Sequence, residues 1–286
     1  MQKLNKVTTH TTWLPATWLH FPTYQCTQGK WTAVVSPQHG RLVALLHHDS
    51  NRNLLHFAPH HTTRKSTFGI PHWGAHAVWL GPQDRWIWPP SRNWELSPAS
   101  PTSIRRTLDS IQFTLESPES DRPSITRTYR WHPKQGLECT ITWQQTDASW
   151  FAIQIFAVRA DTLVQVEAQP TTTNSTVFFG PDNMGISGLL IPHERGGTLK
   201  WHHHKSKIGM APTTIRTSNS EGHGITISPD SQALTASEIP DLGHMTQIYT
   251  SPDYKDESYF ELEQLSPIHI NEGGLCQSTV YLQPVQ

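Results

Sequence analysis

The feature that most limits what this chain can fold into is the shortness and phase of its apolar runs. Stretches such as "SITRTYRW" (124–131), "LECTITWQQ" (137–145), "IQFTLES" (111–117) and "SYFELEQL" (258–265) alternate apolar and polar residues. A period of two places the apolar residues on one side of an extended strand and the polar ones on the other. Further runs of this kind are "KWTAVV" (30–35), "RLVALLHH" (41–48), "WFAIQIFAVRA" (150–160), "TLVQVEA" (162–168), "TVFF" (176–179), "GITIS" (224–228) and "STVYLQP" (278–284). They favour Val, Ile, Thr and aromatic residues, as strands do. Turn-forming clusters at 37–40, 117–123, 180–183, 194–197 and 271–274 separate them.

No segment sustains a 3.6-residue period with a cap in front of it, and 22 Pro are spread through the chain. Proline in a helix interior removes a hydrogen bond and clashes with the preceding turn. The expectation is an all-β fold, a large antiparallel β-sandwich. At 286 residues the chain is long for one domain, yet large sandwiches reach this size as single units with a sizeable core. There is no repeat period and no low-complexity linker. The expected division is an N-terminal arm over 1–20 and one sandwich domain over 21–286.

Charge narrows the partners. Lys+Arg number 22 against Asp+Glu 23, for a formal net charge of −1, which leaves no electrostatic footprint for nucleic acid and no attraction to an anionic membrane. Cys26, Cys139 and Cys276 are far apart and odd in number, so neither a disulfide framework nor a C-x-x-C site is expected. The N-terminus lacks a continuous apolar signal-peptide core, and no stretch approaches 18 apolar residues. A cytoplasmic location is the expectation. P-loop, dinucleotide and G-x-S-x-G patterns are absent, so no cofactor is expected. His202, His203 and His204, with His193 upstream, invite a metal reading. Adjacent strand residues point to opposite faces, however, and no carboxylate or Cys pair supports them, so a polar loop or strand end is expected and no metal.

Two counts are high, 12 Trp and 18 His. Trp suits a sandwich core and also suits the apolar face of a sugar ring. The stretch "FGIPHWGAHAVWLGPQDRWIWPPSRNWE" (68–95) concentrates both residue types.

That stretch, with "TYQCTQGKWTAVVSPQHGRLVALLHHDSNRNLLHFAP" (23–59) and the C-terminal "MTQIYTSPDYKDESYFELEQLSPIHINEGGLCQSTVYLQPV" (245–285), resembles the galactose mutarotase-like (aldose 1-epimerase-like) superfamily, in an uncharacterised branch of it. The likeness covers both ends of the chain and gives no residue-level matches between about 100 and 240. It implies a large β-supersandwich and a small-molecule carbohydrate partner. In this family a Glu takes the proton of the anomeric hydroxyl and a His protonates the ring oxygen. The ring opens and recloses on the other face.

Glu261 and Glu263 are the candidates for the base. They stand two apart in "YFELEQLSP", so on a strand both project from one face, and mutual repulsion would raise one pKa toward neutrality. The resemblance slightly favours Glu263. Both could equally be solvent-facing strand carboxylates. His72 and His76 flank Gly74 in "PHWGAH". His72 matches the family's Pro-His-Gly position and is placed as a substrate ligand, while His76 matches the uncharacterised branch and is the candidate acid. The alternative for each is a buried structural histidine. Arg85 could bind two sugar oxygens through its guanidinium fork, or brace the loop beside Asp84. Trp79, Trp86 and Trp88 could supply a stacking wall.

The family's mid-chain acid His motif has "WFAIQIFAVRA" as its counterpart by position here, and that stretch holds no His. Three readings follow: an aldose 1-epimerase-like isomerase, a non-catalytic carbohydrate-binding protein on the same scaffold, or a lyase- or glycosidase-type enzyme on a longer chain. The last would draw on Arg85 with Tyr249 or Tyr254.

Overall fold

The computed structural model describes residues 12–50, 52–58, 73–85, 90–117, 122–132, 134–145, 150–167, 175–181, 185–200, 204–229, 240–251, 258–267 and 274–285. His72, Trp86, Trp88, Tyr254, His202 and His203 lie outside them.

The chain begins with β1 (Leu14–Trp18), β2 (Phe21–Gln28), β3 (Trp31–Ser36) and β4 (Arg41–His47), which pair in that order as an antiparallel sheet. Residues 14–18 of the expected N-terminal arm are therefore a paired strand. Then come β5 (His76–Gly81), a short helix α1 (Arg92–Leu96), β6 (Arg105–Arg106), β7 (Ser110–Leu115), β8 (Ile125–His132), β9 (Gly136–Gln144) and β10 (Phe151–Arg159). The second half supplies β11 (Leu163–Val166), β12 (Ser175–Phe179), helix α2 (Ile186–Leu189), β13 (Leu190–His193), β14 (Gly196–Leu199) and β15 (Ser206–Met210). It closes with β16 (Ile215–Ser218), β17 (Gly224–Pro229), β18 (Thr246–Ser251), β19 (Tyr259–Leu265) and β20 (Leu275–Val285). Each alternating run read from the sequence lies on a strand.

Two larger sheets complete the architecture. One has the order β12-β15-β18-β19-β10-β5, the other β13-β14-β11-β16-β17-β20-β9-β8-β7-β6. Among the described residues all strand pairs in them are antiparallel. The pattern of β8 shows why these residues make strands: Ile125, Arg127, Tyr129 and Trp131 are buried while Thr126, Thr128, Arg130 and His132 are partly exposed. The long sheet is thus a half-buried surface of the kind that period two specifies. By contrast β5 is buried at every position and β10 at all but Arg159, so the β10–β5 end of the six-stranded sheet is covered on both faces.

One continuous core joins the layers. It includes Trp13, Cys26 and Leu42 of the first segment, Val78, Phe156 and Leu262 of the six-stranded sheet, and Phe113, Ile141, Ile225 and Leu282 of the long sheet. Polar links stitch it together: Trp131 Nε1 donates to the Cys26 carbonyl at 3.3 Å, and Arg127 donates to the carbonyls of His76 and Trp94, each at 3.0 Å. The reversal at Pro37–Gly40 works as its sequence suggests. Gly40 adopts φ +62°, and a Cβ there would meet Leu115 Cδ2 at 2.7 Å and the Ser97 carbonyl at 2.8 Å, so only glycine suits the place. The three cysteines are free and buried, and no helix is long and apolar enough to cross a membrane among the described residues.

Candidate functional site

Register decides which side chains meet on the six-stranded sheet, because directly paired residues share a face. Glu263 lies opposite Ile155 on one side and Gln247 on the other, and Glu261 lies opposite Ala157 and Tyr249. Lys207 pairs with Tyr249, and Gly209 with Gln247. Tyr259, Glu261 and Glu263 of β19 therefore stand on one face with Tyr249 and Gln247 of β18 and Lys207 of β15. The two glutamates do project together, as their spacing implied.

Neither is a solvent-facing carboxylate. Glu261 is 5% exposed and Glu263 1%. Lys207 Nζ donates to Glu263 Oε2 at 2.9 Å, a pair in which neither side chain is more than 13% exposed. Burial holds the Glu263 carboxyl above its ordinary range, with Lys207 opposing and the Glu261 and Asp241 charges adding to the rise. Asp241 is placed by Gln247, whose Nε2 donates to its carboxylate at 2.8 Å. Burial, followed by the Glu261 charge, pushes the Tyr249 hydroxyl up to about 12 and that of Tyr259 well above its usual value. The result is a buried pair of carboxylates with one ammonium and two tyrosines, and the exposed Asp241 at its edge.

A second group closes one end of this face. The His56 ring lies parallel to Tyr259, 5.1 Å between centroids and 10° between planes. Its backbone N–H donates to the Ala157 carbonyl at 2.8 Å, opposite Glu261. The approach needs Gly74, whose φ is +67° and whose Cβ, if present, would collide with the His56 carbonyl. A short segment at 52–58 thus carries an imidazole to the carboxylate face.

Trp79 also lies on this face, opposite Ile153 of β10. It is 4% exposed, and its Nε1 donates to Glu95 Oε2 at 3.1 Å. Glu95 in turn holds Arg41, which is fully buried: its guanidinium reaches Glu95 Oε1 at 3.2 Å, the Glu95 carbonyl, and the Gly74 carbonyl at 3.0 Å. Trp79 is therefore a brace for a buried ion pair. Arg85 is exposed and sits over Trp150, 5.7 Å from its ring centroid. Phe151, next to Trp150, is six residues along β10 from Ala157, the residue opposite Glu261, a separation of roughly 20 Å along the strand at about 3.3 Å per residue.

His76 is on the other face. It pairs with Phe156, which pairs with Leu262, and it stacks on the Phe156 ring at 4.5 Å and 5°. Its Nε2 is 3.2 Å from Gln154 Oε1 and its Nδ1 is 3.0 Å from the Tyr129 hydroxyl. A carbonyl oxygen only accepts, so Nε2 carries the hydrogen and Nδ1 accepts from Tyr129. Tyr129 accepts from the Leu42 N–H at 3.1 Å, and Gln154 Nε2 donates to Ser278 Oγ at 2.8 Å. Every polar atom of the imidazole is satisfied and the residue is 0% exposed. Burial, then the Arg127 and Arg41 charges, holds its pKa well below the usual value. The sheet separates His76 from Glu261 and Glu263: strand alternation, invisible in the spacing of two distant segments, set them on opposite faces.

Sequence reasoning missed Lys207, Tyr259, His56 and Asp241 as site neighbours. The partial signal for Tyr259 was its place two before Glu261. Nothing local marked Lys207 or His56. Among the described residues no group of three or more His, Cys, Asp and Glu is arranged to hold a metal ion.

No protein-family model and no curated protein sequence matches the chain. Solved structures do. A galactose mutarotase-like protein from Lactobacillus casei superposes with a TM-score of 0.54 at 12% identity, covering 92% of this chain and 100% of its own. A mutarotase-like protein from Salmonella typhimurium gives 0.55 at 8% identity, over 99% and 96% of the two chains. A galactose mutarotase related enzyme from Lactobacillus acidophilus gives 0.52 at 8% identity, over 92% and 97%. Full-length superposition on an all-antiparallel sandwich gives the chain the galactose mutarotase-like fold.

Proposed function

We propose that the chain binds a carbohydrate on the Glu261–Glu263 face of the six-stranded sheet and interconverts its anomers by acid–base chemistry. The observation that carries this reading is the buried carboxylate pair, with Glu263 fixed by Lys207 and Glu261 opposite the small Ala157. A base needs a pKa near working pH and reach to its proton. Glu263 is committed to Lys207, so Glu261 is the base in this reading and Glu263 the fixed charge beside it. Glu261 removes the anomeric hydroxyl proton, the bond from the anomeric carbon to the ring oxygen breaks, and the ring oxygen takes a proton from an acid. The acid is His56, the imidazole stacked at this face; the Tyr259 hydroxyl, whose pKa lies well above the usual value, is a poorer donor of a proton. The names of the structural neighbours support the substrate class by analogy.

A second reading is a carbohydrate-binding protein without catalysis. It is favoured by β10, which presents Ile155 and Ala157 to the two glutamates and contributes no imidazole to that face.

Saturation-transfer NMR against monosaccharides and uronates, with anomeric exchange read in the same tubes, tests both. Binding with accelerated exchange is expected, and Glu261→Gln should slow the exchange about a hundred- to ten-thousand-fold. Binding without acceleration establishes the second reading. Silence across the panel sinks both.

A further inference from the structure

Strand β12 forms the edge of the six-stranded sheet beyond β15. Its register against β15 shifts between Val177, opposite Ile208, and Phe179, opposite Lys207. In a regular strand Phe178 and Phe179 would point to opposite faces. A bulge inserts an extra residue and re-aims its side chain, and here both rings fall on the carboxylate face. Phe179 shares the Lys207 row and lies edge-on to Tyr249 at 6.1 Å. Phe178 lies against Gly209, where a Cβ would come within 2.5 Å of its ring, and edge-on to His244 at 5.7 Å. Gly209 and Gln247 are paired on that same face.

Both rings are open to solvent, Phe178 at 38% and Phe179 at 47%. Among the described residues they are the exposed aromatic side chains, in a protein whose described Trp are mostly buried. The row runs from Glu261 through Tyr249 and Lys207 to Phe179, so the rings stand three strand spacings from β19, about 14 Å. A single sugar at the carboxylates does not cover that span. Aromatic faces bind the apolar C–H face of a pyranose while polar groups take its hydroxyls, and here Lys207 and Tyr249 lie between the two ends. The bulge also unsuits β12 for pairing with another strand, since bulges twist a sheet edge away from such contacts.

We propose that Phe178 and Phe179 form an aromatic ledge for a second sugar ring, so that the site takes a di- or oligosaccharide in preference to a free monosaccharide. The inference rests on the carbohydrate reading above. The test is saturation-transfer NMR and calorimetric titration of the full chain with glucose, galactose, maltose, cellobiose and lactose. Wild-type protein, Phe178→Ala, Phe179→Ala and Phe179→Trp are compared, with oligomeric state read by sedimentation. At least one disaccharide should bind more tightly than its monosaccharide, and Phe179→Ala should cost roughly ten-fold in its affinity. Monosaccharide affinity should stay unchanged, and Phe179→Trp should retain the gain. Equal binding of both sugar sizes, untouched by the Phe substitutions, overturns the ledge and leaves the carboxylate site standing. A wild-type dimer dissociated by Phe179→Ala, with sugar binding unchanged, overturns it in favour of self-association. No binding of any sugar removes both the ledge and the reading beneath it.

Discussion

The two faces of the six-stranded sheet both bury polar groups and treat them in opposite ways. On the core face, Tyr129, His76, Gln154 and Ser278 form a neutral hydrogen-bonded chain, beside a buried Arg127 whose guanidinium donates to the His76 and Trp94 carbonyls. On the other face, the buried Glu261 and Glu263 outnumber the one partly buried cation, Lys207, and burial lifts the Glu263 carboxyl. A satisfied neutral network specifies packing and does no chemistry. Buried charges left partly compensated are costly, and clusters that shift pKa values are where reactive groups are found. The difference marks one face as scaffold and the other as site.

The largest effect separating the faces should come from Lys207→Met. It leaves Glu263 buried without its cation, and breaking one side of such a pair costs about 3–5 kcal/mol. The loss should depend on pH. With burial already raising the Glu263 pKa in the folded state, removing Lys207 raises it further, so the native state holds the proton more tightly than the unfolded one. Stability then falls as pH rises from the unfolded value through the folded one. Urea unfolding at pH 5 and pH 8 should show the larger deficit at pH 8. An equal deficit at both would mean Glu263 carries no buried charge.

Next in size is His76→Leu, expected to cost about 1–3 kcal/mol by leaving Gln154 and Tyr129 short of a partner. Sugar binding by the folded protein should not change. If the variant folds normally but loses binding or exchange, the assignment of the core face to scaffold fails.

A third effect is a slope with pH, not a fixed loss. Burial and the Arg41 charge lower the His39 pKa to about 4, where its Nδ1 lies 2.8 Å from Ser36 Oγ. Because the folded pKa lies below the unfolded one, the unfolded state takes up the proton first as pH falls. The contribution of His39 is intact above about 6.5 and is lost progressively on the way down to about 4. His39→Phe should flatten the stability profile between those limits, measured by thermal melts in matched buffers. An unchanged slope would show that His39 is not titrating there.

What the sequence by itself determined is local. The alternation of β8 or β9 required strands, Gly40 required a turn with positive φ, and the spacing of Glu261 and Glu263 required that they share a face. Each needs only the geometry of a few consecutive residues. The tertiary structure decided everything that depends on phase between distant strands. The residues opposite Glu261 are Ala157 and Tyr249, more than a hundred residues and about a dozen residues away in the chain. A shift of one residue in either pairing would have reversed the faces. The same long-range phase put His76 beneath the sheet and Lys207 above it, turned Trp79 into a brace for Glu95 and Arg41, and brought His56 to Tyr259 across Gly74. Side-chain alternation is written in the sequence, but the register that converts it into a site is set by packing of the whole core.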